Sequence, residues 1–161
     1  MIELLIVSSI VSSLIAMGVP GYQSALDRAR VTRAMGDINA IGKEVTMFQI
    51  SRACFPGSLQ DIGRDVLMDP WHHPYAYAVP RSPGGGGRGG GSGGSCQACL
   101  SACVPPGAAR KDHNLVPINS DFDLYSAGKD GKTAAPLTAA TSQDDIIRAR
   151  DGGFIGLAST Y

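Results

Sequence analysis

The first twenty-three residues, MIELLIVSSIVSSLIAMGVPGYQ, limit the fold more than any other stretch. Residues 4–17 carry no charge. From Met1 to Met17 the chain reads as an apolar helix, close to the ~20 residues needed to cross a bilayer. Gly18 and Pro20 then interrupt it. No basic segment precedes the run and no cleavage signal follows it, so it does not read as an intact secretory signal peptide. The plain alternatives are a membrane anchor or a buried core helix. Glu3 is the anomaly, because a carboxylate in apolar surroundings is costly unless something pairs with it.

Beyond Pro20 the apolar pattern changes without stopping. Tyr22, Leu26, Ala29, Met35, Ile38, Ile41, Val45 and Phe48 recur at steps of three or four, with one double step from Ala29 to Met35, the spacing of a helix with one buried stripe. Charged residues from Asp27 to Glu44 mostly occupy the other faces. The spacing predicts one helix, broken or bent at Gly18–Pro20, running to about residue 52 and roughly 75 Å long. Only its second half has a face that a folded head could cover.

The 161 residues suffice for one ordinary domain with an appendage. Lys plus Arg equals Asp plus Glu at 14 each, which gives none of the basic footprint that nucleic-acid binding needs. Four cysteines are present, Cys54, Cys96, Cys99 and Cys103. No C-x-x-C-H haem motif occurs, and no His sits at finger-like spacing, so two disulfides are favoured over a zinc site. Four cysteines allow three connectivities. There is no G-x-x-x-x-G-K-[ST] loop, G-x-S-x-G elbow or H-E-x-x-H pair, and the chain is read as a non-enzyme.

The segment IELLIVSSIVSSLIAMGVPGYQSALDRARV resembles the N-terminus of a processed type IV pilin or type II secretion pseudopilin. Such chains begin Phe-Thr-Leu-Ile-Glu after leader removal, with a methylated Phe; here Met1 stands in the Leu place. The resemblance implies that Glu3 pairs with the N-terminal ammonium of a neighbouring subunit in a filament, which would make it a register pin. It also implies that the helix loosens near Gly18 and Pro20 inside a filament, where proline already lacks one donor.

Further on, DPWHHPYAY resembles the DPWGNPYxY of the major pseudopilin. Trp71 and Tyr75 are expected to pack on the long helix, a short helix or turn to form near Leu59–Val66, and YAYAV to form a strand. His72 and His73 read as an exposed turn pair. Residues 82–95 are Gly-rich and low-complexity; with the cysteine run they form an expected flexible insertion over 82–110. In LVPINSDFDLYSAGKDGKTAAPLTAATSQDDIIRARDGG, Phe122, Leu124 and Tyr125 suggest a strand, and Gly128 and Gly131 a turn. The resemblance places a calcium ion in the following loop. Its best candidate ligands are Asp144 and Asp145, backed by Ser126, Asp130 and the Leu137 carbonyl, a reasonable oxygen set for that ion. The competing reading has Asp144 capping a helix or turn from Ile146 and Asp130 in an ordinary turn.

The expected fold is α+β, a long N-terminal helix on a small antiparallel sheet with a C-terminal loop region. Residues 1–21 would form the membrane or filament-core half of the helix and 22–161 the head. The implied function is structural: a subunit of a pilin-like filament, foremost the major pseudopilin of type II secretion, alternatively a true type IV pilus subunit. A single-helix-anchored periplasmic enzyme or a metal or redox module is a distant alternative. Implied partners are copies of the chain itself, minor pilin-like subunits, an inner-membrane assembly platform with its cytoplasmic ATPase, and a prepilin peptidase. The chain would sit as a single-pass protein in the inner membrane before assembly, then in a periplasmic or extracellular filament.

Overall fold

Proline removes one backbone donor and crowds the preceding turn, yet the apolar turns on both sides of Pro20 carry the helix through it. The computed structural model describes residues 2–80, 103–104, 108–113 and 115–161. Helix α1 is continuous over Ile2–Arg52, with Pro20 inside it: the single helix to residue 52 stands, and of the two expectations at Gly18–Pro20 the break does not occur. After it come a 3₁₀ turn (Leu59–Ile62) and strands β1 (Ala76–Ala78), β2 (Asp123–Ser126), β3 (Ile146–Ala149) and β4 (Phe154–Leu157). The strands form one antiparallel sheet in chain order.

The head grips only the far part of α1. Ala34, Ile38, Ile41 and Val45 are buried, at the three- and four-residue steps of one helical stripe. They pack with Phe55, Leu59, Tyr75, Val79, Phe122, Leu124 and Ile146. The upper part of the predicted stripe is bare: Tyr22 is 67% exposed and Leu26 38%, because the sheet reaches up α1 only as far as Val31. Two ion pairs add to the grip, Arg64 to Glu44 and Lys129 Nζ to Asp27 at 2.8 Å.

Successive side chains of a strand point to opposite faces, and β3 is buried on both. Ile146 belongs to the core under α1. Ile147 and Ala149 join Ile118, Leu137 and Ala158 in a second core on the outer face, with Tyr125, Phe154 and Tyr161 partly buried around it. The loops between β2 and β3 and around residue 110 therefore act as a third layer. Ile146 opens a strand, not the helix or turn considered from sequence.

The Arg64 guanidinium is the main reason the Glu44 carboxyl lies below its ordinary value. A depressed carboxyl adds stability above its unfolded-state pKa and loses it as pH falls through the folded value. Both side chains are more than a third exposed, so the pair is worth at most ~1 kcal/mol. Glu44→Gln should cost less than that at neutral pH. The difference from wild type should shrink in acid melts as pH drops below the ordinary glutamate value and vanish only below the depressed folded one.

Candidate assembly surface and cation loop

The N-terminal part of α1 is apolar and touches nothing in the head. Ile2, Leu4, Leu5, Ile6, Val7, Ile10, Val11, Leu14, Ile15, Met17 and Val19 are all exposed. The most apolar 18-residue window has a mean hydropathy of 2.1 and no buried residue. Its serines do not break it: Ser8 and Ser12 return their hydroxyls to the carbonyls of Leu5 (3.0 Å) and Ser8 (2.7 Å), which hides their polarity inside the helix. So large an apolar surface needs a lipid or protein cover. Glu3 sits exposed in the first turn of this helix. Gly18 and Pro20 lie mid-helix, and no atom outside α1 comes within 4 Å of where a Gly18 Cβ would sit.

The second feature is the loop between β2 and β3, which opens with a tight turn. Gly128 and Gly131 both have positive φ, 65° and 66°, the conformation glycine adopts without strain. Asp144 closes the turn: its Oδ2 accepts from the backbone N–H groups of Lys129 (2.9 Å) and Asp130 (3.0 Å). His73 supports it from below, with Nδ1 3.1 Å from the Gly128 carbonyl. His72 and His73 are thus not an equivalent pair; only His72 is exposed. Asp69 is 3% exposed and takes N–H groups of Trp71 (3.0 Å) and His73 (2.8 Å) on one oxygen. The Ser126 hydroxyl donates to its other oxygen. Trp71 and Tyr75 pack on the α1 core as expected, and the Tyr75 hydroxyl donates to Asp37 of α1 at 3.0 Å.

The deeper part of the loop is built around Arg110, only 3% exposed. Its guanidinium donates to the Thr133 hydroxyl at 2.6 Å, the Ala134 carbonyl and the Asp145 carboxylate. It also lies over the Tyr125 ring, 4.1 Å from the centroid. The Thr133 hydroxyl in turn donates a hydrogen bond to Asp145 Oδ2 at 2.6 Å. The Arg110 backbone is fixed as well, its N–H on Asp123 Oδ2 at 2.9 Å and its carbonyl on Ile118 N–H at 3.0 Å.

No family model and no solved structure matches the sequence. Among curated proteins, the chain is 29% identical over 153 residues to the type II secretion system core protein G of Pseudomonas aeruginosa, an alignment covering 82% of each chain. The alignment covers most of this chain, whose fold combines a bare apolar helix with a folded head. The chain is thus similar, over most of its length, to a type II secretion pseudopilin. The long N-terminal helix and the antiparallel sheet of the α+β head stand as the sequence implied.

The five residues expected to ligate calcium do not pool their oxygens. Ser126 is fully buried and turned to Asp69, its oxygen also accepting Gly128 N–H at 3.1 Å. Asp130 Oδ1 takes Lys132 N–H at 2.8 Å, and the Leu137 carbonyl takes Gln143 Nε2 at 3.1 Å. Asp144 is committed to the turn and Asp145 to Arg110. The described residues contain no group of three His, Cys, Asp or Glu side chains arranged to hold a metal. The donors present do not fit the ion.

The cysteines are partly visible. Among the described residues none is a free thiol, Cys54 and Cys103 included, and Cys103 is 5% exposed in the main core. The pairing of Cys96 and Cys99 lies outside the described residues, as does most of the insertion expected over 82–110. The far end of that stretch is anchored: Val104 donates to Val79 at 3.0 Å, and Ala109 and Arg110 are buried.

Sequence reasoning missed Arg110, Asp69 and Arg148. Arg148 pairs with Asp121 and lies 4.0 Å from the Phe122 ring centroid. The apolar alternation of IIRA was the available signal for Arg148, since it places that arginine on the helix-facing side with Ile146. Gly128 gives a direct test of the turn. A Cβ there would stand 2.3 Å from the Asp144 carbonyl oxygen, and the backbone is already left-handed. Gly128→Ala should cost about 2–3 kcal/mol, read as a lowered denaturant midpoint of the detergent-solubilised chain.

Proposed function

We propose that this chain is a pseudopilin, the repeating subunit of a type II secretion pseudopilus, and that its work is mechanical. The observation that carries the reading is the division of α1. One stripe of the far half is buried in the head, and the near half is a bare apolar rod of membrane-spanning length with one carboxylate near its end. A bilayer satisfies such a rod before assembly, and a bundle of identical rods satisfies it afterwards, so the chain can leave lipid for a filament without exposing the surface to water. The relative's name supports the secretion system over other filaments. Exposed Tyr22 and Leu26 extend the bare stripe beyond the bilayer length, which suits packing between neighbouring subunits. Glu3 would meet a positive charge only on assembly, and Gly18 and Pro20 mark where the rod would give. Partners in this reading are other copies, minor pseudopilins, the membrane platform and its ATPase, with a peptidase acting before assembly. Two disulfides among Cys54, Cys96, Cys99 and Cys103 would suit a head working outside the cytoplasm.

The test is removal of the chain from a cell that exports folded proteins. Those proteins should accumulate in the periplasm and return to the medium when the full chain is restored. Unchanged export with loss of surface fibres would instead assign the chain to a surface pilus.

A further inference from the structure

The loop between β2 and β3 needs a cation. It gathers a fully buried carboxylate (Asp145), a half-buried backbone carbonyl (Ala134) and the hydroxyl of Thr133 at the exposed rim. We propose that this cation is the guanidinium of Arg110, supplied by the chain itself, and that the head folds without calcium. The guanidinium meets all three oxygens at once, which a planar fork of donors does well. The Tyr125 face covers it, and two of the three buried side-chain polar atoms without a hydrogen-bond partner among the described residues, Arg110 Nε and Asp145 Oδ1, belong to this one ion pair, the third being Trp71 Nε1. The pair is sealed, with side chains 4% and 0% exposed.

The surrounding backbone is built to hold Arg110 there. Lys111 N–H bonds the Ala135 carbonyl at 3.0 Å, and Leu137 N–H the Lys111 carbonyl at 2.9 Å. This short parallel bridge ties residue 110 to the loop that it neutralises. Ser142 stitches the same loop, accepting from Ala134 N–H at 3.0 Å and donating to Ala134 O at 2.9 Å. A calcium ion would need six to eight oxygens, and every other expected ligand has its bonded oxygen on an internal donor. The inference stands independently of the filament role, since it concerns how the head folds.

The experiment uses the full chain in detergent, melted in excess EGTA and in millimolar calcium. The Tm should be the same in both, and terbium should give no sensitised emission. Arg110→Met should lower the Tm by on the order of 10 °C, because it leaves a buried carboxylate unpaired. Arg110→Met with Asp145→Leu should lose less than the sum of the two single losses, since the pair acts as a unit. A wild-type Tm that rises several degrees with calcium overturns the proposal, as does wild-type stability in Arg110→Met or additive losses in the double variant. If the single variants do not fold, the wild-type response to calcium and terbium decides alone.

Discussion

Phe122→Ala is expected to lower the stability of the head by about 4 kcal/mol, a fall in Tm of roughly 10–15 °C for a chain of this size. Phe122 is fully buried and joins the layers of the main core. Its ring centroid lies 5.7 Å from those of Phe55 and Tyr77, and the Arg148 guanidinium covers it at 4.0 Å. Truncation opens a cavity beneath α1. It also strips Arg148 of the ring it lies on, leaving its bonds to Asp121 and to the Phe122 carbonyl. Thermal melts followed by near-ultraviolet dichroism would read the loss. A shift under about 3 °C would mean that α1 does not depend on this contact.

Glu3→Leu is expected to leave the head unchanged and to stop filament growth. Glu3 is exposed on a part of α1 that the head does not touch, so the Tm should match wild type. In a bundle of apolar rods the carboxylate is tolerable only beside a positive charge, and without it nothing fixes the axial register of one rod against the next. Filament yield should drop at least tenfold while the membrane-bound chain persists. Normal filament yield from the variant would remove the proposed role of Glu3.

The parts of the fold that were legible in sequence are those written by period or punctuation. The three- and four-residue apolar steps gave α1, and the alternation of YAYAV and DFDLY gave β1 and β2. The glycines of SAGKDGK placed the turn at positive φ. The single helix to residue 52 was legible, but whether Pro20 breaks it was not. A proline marks a lost bond, but the length of helix on either side decides whether the lost bond matters. The stripe also overstated its cover, since periodicity says which face can be buried but not how far the sheet reaches; Tyr22 and Leu26 fit the pattern and stay exposed. In the loop, family likeness pointed to Asp145 as an acceptor for a cation, and the structure puts Arg110 there. That arginine follows a Gly- and Cys-rich stretch with no periodic signal, and its partner lies 35 residues away. Such a pairing is a tertiary fact, visible only once the outer layer is folded over β2 and β3.

The central claim is that the bare half of α1 is an assembly rod. Electron microscopy tests it most directly, on membranes and sheared material from cells that make the chain together with a type II secretion assembly platform and ATPase, labelled through the head. The account predicts filaments labelled along their whole length, lost in Glu3→Leu. Label confined to single membrane-bound chains, with no filament even when the full machinery is present, would contradict it and leave α1 as a simple anchor.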